Sequence, residues 1–431
     1  MSALREEVVD LLRALVRLDT VNPPGNETRA AELLRGYLEL RGVDCALYGR
    51  VPERANLVAR IPGRDPEAPR LLLLGHTDTV VADPAEWSVD PWSGELRDDH
   101  VWGRGALDMK GQVAAAAVAL ATLAREGFRP TGDLILAAVA DEEVGDGYGL
   151  SWLCEVHPEA VRATWCVNEG SGDRIEVGGR PLYLCSTAEK ATSPFTVRVP
   201  GRSGHASMPA VAENALLRAA PLIERLGRVG TRVHVGPETG AFLEALVGPD
   251  RPPEDALDAL RRASPAAAAM LEPMLRATVA PTQIRASARI NVIPGSCEIT
   301  CDCRLLPGQP QAEVEADVRA ALGPDGYELH WGAPNGGTRS ALGTPLWEAC
   351  ARFVEREEPG AALAPILLPG FTDSHYLRQT FGTIAYGFFP MRTMHPQLAA
   401  SLIHSADERI HVEDLELGTR FLVDVARELL A

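Results

Sequence analysis

Two histidines and a set of carboxylates in this chain stand in local contexts that suit metal-assisted chemistry. His76 and Asp78 follow the apolar run 71–74, in Gly75-His76-Thr77-Asp78. Asp108 closes Gly103-Arg104-Gly105-Ala106-Leu107-Asp108. Glu142 and Glu143 follow the apolar run 134–140, Glu169 follows 163–167, and His404 ends Leu402-Ile403-His404 just before an acidic turn. Imidazole and carboxylate are borderline-to-hard ligands, suited to Zn²⁺ and its neighbours in the first transition row. A two-ion centre needs a carboxylate bridging ions about 3.5–4 Å apart, with water held between them. It also needs a carboxylate that is not a ligand, to take the proton from that water. Five ligands and one base make six groups, and His76, Asp108, Glu142, Glu143, Glu169 and His404 supply them. Asp78 is well placed to hold the far nitrogen of the His76 ring, the kind of outer partner that metal-bound histidines usually have.

Singly, each of these has an ordinary reading. A histidine after a strand is often packed or solvated, adjacent acids such as Glu142-Glu143 often make a solvated turn, and Glu169 could open a helix. His404 competes with His375, His395 and His411. What favours a site is the common placement: each group falls where a buried strand ends and a loop begins. In an open α/β sheet that edge is where ligands and catalytic groups gather. A dinucleotide loop through Gly103 and Gly105 is disfavoured, because Asp108 stands where the third glycine would be and would repel pyrophosphate.

The elements that must position these groups follow from hydrophobic pattern. Strands are expected over 56–61, 70–74, 133–140 and 163–167, with an alanine-rich helix over 112–126. This alternation predicts an α/β domain, a mixed sheet with helices on both faces. From about residue 190 the pattern becomes β-α-β-β-α-β: strand 194–200, helix 213–226, strands 282–293 and 296–305, helix 312–322, strand 327–331. That order predicts a ferredoxin-like α+β domain inserted in the first. An excursion over 231–280 interrupts it, with helical stretches expected at 254–262 and 266–276. The expected boundaries are 1–187 and 336–431 for the larger domain and 188–335 for the insert, with a last helix over 415–430.

The segments Gly75-His76-Thr77-Asp78-Thr79-Val80, 102–111, Ala140-Asp141-Glu142-Glu143-Val144-Gly145, Asn168-Glu169-Gly170, Gly204-His205-Ala206-Ser207-Met208-Pro209, Asn291-Val292-Ile293-Pro294 and Gly370-Phe371-Thr372-Asp373 run in one order along most of the chain. In that order they resemble the dinuclear zinc aminoacylase/carboxypeptidase family, with glutamate carboxypeptidase, acetylornithine deacetylase and succinyl-diaminopimelate desuccinylase among its members. The resemblance implies that Asp108 bridges two metals, that His76 and Glu169 complete one and that Glu143 and His404 complete the other. It makes Glu142 the general base and Asp78 the outer partner of His76, and it implies a cis peptide at Asp108–Met109. The insert would be a lid whose His205 stabilises an oxyanion. Asn291 and Arg304 would bind the reacting carbonyl and a substrate carboxylate, and Gly370 and Thr372 would line the substrate pocket. The implied cofactors are two divalent ions, Zn first, with Co or Mn compatible. The implied assembly is a homodimer through the lid.

Composition bounds the rest. The chain has 431 residues, enough for two domains, and no apolar run of about 18 residues, so no membrane span is expected. Its net charge of −17 argues against nucleic acid or an anionic membrane surface as partner. An anionic small substrate stays compatible, because metals and a local arginine reverse the sign inside a cleft. The first residues read as an acidic amphipathic helix and not a signal peptide. Eight cysteines without a C-x-x-C pair read as free thiols and suit the cytoplasm. Cys297, Cys301 and Cys303 alternate with Ile299 and so share one strand face, a buried layer more simply than a metal cluster, with Arg304 on the other face. The function expected is hydrolysis of the amide of an N-acyl amino acid or of the C-terminal bond of a small peptide. The alternatives are a hydrolase of a non-peptide amide or carbamate, and a catalytically silent metal-binding homologue.

Overall fold

The structure, a computed structural model, describes residues 2–177, 179–248, 255, 258, 261–262 and 271–431. The chain forms two compact units. The larger holds residues up to 187 together with 340–365 and 372–431, and the smaller holds 188–339 and 366–371. The excursion from 231 to 280 contains a helix at Pro237–Val247, and residues 271–275 are helical. Much of the helical expectation at 254–262 and 266–276 lies outside the described residues.

The larger unit is built on a mixed sheet. Its centre runs Ala55–Ile61, Leu134–Val139, Leu71–His76, Trp165–Asn168, Ile384–Gly387. The last four of these strands are mutually parallel, and Ala55–Ile61 is antiparallel to its neighbour. Both faces must be covered, and the residues say how. Leu71, Leu73, Leu134 and Leu136 enter one apolar layer, while Leu72, Leu74, Ile135 and Ala137 enter another. This is the two-residue period of a strand, with large apolar side chains at every position. Burying each such leucine is worth about 1.5–3 kcal/mol. Helices Ala3–Val16, Lys110–Arg125 and Val412–Leu430 pack on the first layer. Leu150–Val156 and Ser374–Phe381 contribute to the second. Lys110–Arg125 is buried almost all round, which its alanines allow by letting neighbouring elements come close. The expected α/β mixed sheet with helices on both faces is therefore the observed fold.

The smaller unit is ferredoxin-like. Its strands lie in the order Glu328–Trp331, Phe195–Pro200, Ser296–Leu305, Thr278–Arg285, every neighbour antiparallel. Helices Ala215–Leu226 and Gln311–Leu322 cover the face formed by Val197, Val199, Cys297, Ile299, Cys301 and Cys303. The three cysteines are thus core residues.

One strand differs from expectation. The continuous strand over 282–293 is two pieces. Thr278–Arg285 joins the sheet, and Val292–Ile293 leaves it to pair with Gly204–His205. Ser287 makes the break: its hydroxyl accepts from Arg289 N and donates to Arg289 O, a local side-chain turn that competes with the ladder. Among the described residues, no helix is long and apolar enough to cross a membrane.

Candidate metal centre

Three adjacent parallel strands deliver the site. His76 is the last residue of Leu71–His76, Glu142 and Glu143 follow Leu134–Val139, and Glu169 follows Trp165–Asn168. All three strands end at the same sheet edge. Asp108 comes from the loop before helix Lys110–Arg125, across a cis Asp108–Met109 peptide. The amino end of that helix is the positive end of its dipole, favourable for neighbouring carboxylates. His404 comes from the loop after helix Pro396–Leu402 and holds a left-handed φ of 60°.

Asp108 is the centre of the cluster. Its Oδ1 is 3.2 Å from His76 Nε2, and its Oδ2 is 3.1 Å from His404 Nε2. His76 Nε2 is also 3.7 Å from Glu169 Oε1, and His404 Nε2 is 3.2 Å from Glu143 Oε2. The side chains therefore form two triads that share one carboxylate, His76–Asp108–Glu169 and Asp108–Glu143–His404. Within each triad one ligand atom per residue lies within 4.8 Å of the others.

The donor set suits cations. Glu143 Oε1 is buried without a hydrogen-bond partner, an expensive state for a carboxylate oxygen unless a cation takes it. His76 Nδ1 is 3.0 Å from the main-chain carbonyl of Asp78. A carbonyl only accepts, so Nδ1 carries the proton and Nε2 presents its lone pair to the cluster. Burial pushes Glu142 well above the ordinary carboxylate range, with Glu169, Asp373 and Glu143 adding to the rise and His76 opposing it. Burial also pushes Glu169 up to about 7. Asp108 and Glu143 push His404 up to about 10, so positive charge is favoured there. Divalent ions answer all of these at once.

Asp78 has more partners than the sequence expectation gives it. Its carboxylate is 3.5 Å from His76 Nδ1, and its main-chain oxygen is 3.0 Å from the same nitrogen. The carboxylate also accepts from Glu142 N at 3.2 Å, from Glu143 N at 3.1 Å and from Asn22 Nδ2 at 2.9 Å. Asp78 thereby fixes the turn that aims both glutamates. Behind it, Asn22 also donates to Asp141, and Arg54 joins Asp141 to Glu27, all of them buried. Asp141 itself sits at φ 67°.

Sequence reasoning missed Asn22, Arg54, Glu27 and Asp141, and also Asp373 and Glu408. Asp373 is buried with Oδ2 unpartnered, and burial raises its carboxyl, with Asp78 and Glu169 among the charges that add to the rise. Gly387 shows how tightly the site is backed. A Cβ there would lie 2.1 Å from Glu169 O, so only glycine leaves that main chain undisturbed.

The remaining expected residues lie elsewhere. His205, Asn291, Arg304 and Gly370 belong to the smaller unit. His205 and Asn291 come together there: His205 pairs with Val292, and Ala206 N donates to Asn291 O at 3.0 Å. His205 is exposed, with its Nδ1 2.7 Å from Ser207 Oγ. Arg304 lies on the face of Ser296–Leu305 opposite the core, and its Nε donates to Asp302 at 2.9 Å. Gly370 O accepts from Lys190 N. Thr372 is buried in the larger unit, where its hydroxyl accepts from Asn168 Nδ2 at 3.2 Å.

A mixed α/β sheet whose edge carries two carboxylate–histidine triads, in a chain that also holds a ferredoxin-like domain, defines a metal-dependent amidohydrolase or peptidase. The pattern of peptidase family M20/M25/M40 matches residues 72–428, and the chain belongs to that family. It is similar to the N-fatty-acyl-amino acid synthase/hydrolase PM20D1 of Xenopus tropicalis, 26% identical over 98% of this chain and 85% of the relative. It is also similar to a succinyl-diaminopimelate desuccinylase of Cereibacter sphaeroides, 29% identical over 95% of each chain. Among solved structures, an M20 family metallo-carboxypeptidase from Sulfolobus solfataricus superposes with a TM-score of 0.74 at 18% identity, covering 100% of this chain and 99% of that one.

Proposed function

We propose that this chain hydrolyses the amide bond of an N-acyl amino acid, or the C-terminal bond of a small peptide, at a two-metal centre. The observation that carries the reading is the division of Asp108, one oxygen toward each histidine. His76 and Glu169 would hold one ion, Glu143 and His404 the other, and Asp108 both. Zinc fits the donor set, as do cobalt and manganese. Bound there, the ions would supply Lewis-acid chemistry, polarising a carbonyl and lowering the pKa of the attacking water. Glu142 takes that water's proton and later hands it to the leaving amine. The Asp78 carboxylate fixes the turn that carries both glutamates.

In the same reading the smaller unit supplies substrate recognition. His205 donates to the developing oxyanion, Asn291 contacts the reacting carbonyl, Arg304 takes a free substrate carboxylate and Gly370 lines the pocket, while Thr372, in the larger unit, is assigned to substrate binding as well. The ligand set lies in the other unit, and we assign His205 to the active site of a second copy in a homodimer. Two features of the smaller unit support a dimer. Leu216 and Leu217 are 42% and 72% exposed on helix Ala215–Leu226, and Ile284 is exposed on Thr278–Arg285, an edge strand. The eight thiols are free, and seven are buried, which supports a reducing compartment such as the cytoplasm.

Arg304 gives the test of substrate class. Arg304→Ala should weaken kcat/KM for N-acyl amino acids by roughly 1.5–3 kcal/mol, the worth of a hydrogen bond to a charged group. The same substrates with an amidated carboxyl should be nearly indifferent to the change. Equal losses on acid and amide would remove Arg304 from the carboxylate role.

A further inference from the structure

Both triads depend on the Asp108 loop, and one of them also depends on the loop that carries His404. Neither loop holds its shape by regular secondary structure. Gly103 and Gly105 stand at φ 145° and 86°, and His404 and Asp407 both stand at 60°. Left-handed backbone at non-glycine residues persists only where surroundings enforce it. Glu408 is the side chain on which the two loops meet.

Glu408 is fully buried. Its Oε1 accepts from Leu107 N at 2.8 Å and from Asp108 N at 2.9 Å. Its Oε2 accepts from Arg104 Nη1 at 2.6 Å and from Gly105 N at 3.1 Å. Its main-chain carbonyl accepts from Gly103 N at 2.9 Å. Five donors from residues 103–108 thus converge on one residue, four of them on its carboxylate. Glu408 itself lies four residues after His404 and directly before strand Arg409–His411, which pairs with His100–Trp102 just ahead of the Asp108 loop. The loops are therefore joined at their bases by that ladder, in the middle by Glu408, and at their tips by the contact of Asp108 with His404.

We infer that Glu408 is a positioning residue that sets the relative placement of Asp108 and His404 and so controls the affinity of the ion they share. The inference rests on the two-metal reading above. It goes beyond it, because Glu408 belongs to neither triad. The reason is geometric. The Asp108 amide is one residue's backbone from the carboxylate that faces both triads. Loss of its acceptor frees that residue and its distance to His404 together. His76 and Glu169 stand at the ends of sheet strands and have no such dependence.

Glu408→Gln separates this role from bulk stability. The amide keeps the size of the side chain but replaces one acceptor oxygen with an NH₂ group. Whichever way it turns, either the Leu107/Asp108 pair or the Arg104/Gly105 pair then faces a donor. The measurement is a Zn²⁺ titration of the stripped full-length protein against a chromophoric chelator, which yields both site affinities without reference to activity. His404→Ala identifies which affinity belongs to the His404 triad. In Glu408→Gln that same affinity should fall by roughly 10–100-fold, the usual cost of losing an outer-shell partner, with a smaller change at the other site, which shares Asp108 but not the His404 loop. Glu408→Asp keeps the charge but is one methylene too short to serve both pairs. It should fall in between, and it carries the test if the glutamine variant does not fold. Asp133→Asn is the control for general destabilisation, because Asp133 also binds a loop amide, that of Gly63, but belongs to no triad. It should leave both affinities unchanged. Two wild-type sites with unchanged affinities in the Glu408 variants, or a loss spread evenly over both, would overturn the inference. A wild-type protein that takes up fewer than two ions would overturn the two-metal reading itself.

Discussion

Glu142→Gln should retain both metal ions and lose turnover by roughly 10²–10⁴-fold, the usual contribution of a general base. The substitution is close to isosteric, so the Asp78 bonds to the amides of residues 142 and 143 should survive it. What disappears is the only function assigned to the side chain, accepting a proton and giving it back. Glu143→Gln should behave in the opposite way. Its Oε2 faces His404 and its Oε1 is buried without a partner, so the change should weaken one ion and lower activity through occupancy, with partial recovery at high metal. Metal analysis beside single-turnover rates separates the two. Loss of an ion from Glu142→Gln with no further defect would move Glu142 into the ligand shell.

Removing His205 should cost about 10²–10³-fold in kcat, as expected for one donor to a developing oxyanion. The ring is exposed on the short ribbon Gly204–His205/Val292–Ile293, so His205→Ala should fold normally. It should also leave metal content unchanged. The proposed homodimer gives a sharper test. His205→Ala and Glu142→Gln chains, each nearly inactive, should recover activity when mixed and allowed to exchange subunits. The hybrid then contains one site with an intact base from one chain and an intact histidine from the other. Verified exchange without recovery would place His205 in the site of its own chain.

Of the proposed site residues, His76, the Glu142-Glu143 pair and Glu169 were legible in the sequence because they end or follow apolar strands, whereas Asp108 and His404 come from loops beside helices and were legible through the motifs they share with the family. Runs such as 71–74 and 134–140 can only be buried strands, and the polar residues after them must lie at a sheet edge. Parallel pairing then gathers His76, Glu142 and Glu169 at the same edge. The ferredoxin-like order was legible for the same reason, since Cys297, Ile299, Cys301 and Cys303 alternate with polar neighbours. The supporting residues were not. Glu408 lies in an acidic turn that reads as solvated, and Asn22 lies in a proline-flanked loop with no periodicity. Their partners are distant in sequence: Glu408 binds residues 104–108, and Asn22 binds Asp78 and Asp141. No local pattern announces a contact of that span. The role of Asp78 was half legible for a related reason. Its place beside His76 is local, whereas its carboxylate's further partners, the amides of residues 142 and 143, follow another strand. The break at Ser287 escaped because Ile290, Val292 and Ile293 continue an apolar pattern that reads as strand.

The central claim is that amide hydrolysis here depends on two ions held by the shared Asp108. It is tested most directly by stripping the protein with a chelator and adding back Zn²⁺ in measured equivalents. Release of free amino acid is then followed from a panel of N-acetyl, N-succinyl and longer N-acyl amino acids, with dipeptides alongside. The stripped protein should release none, and for at least one substrate the rise should become complete at two ions per chain. Full activity at one ion per chain, or release that survives stripping, would contradict the claim.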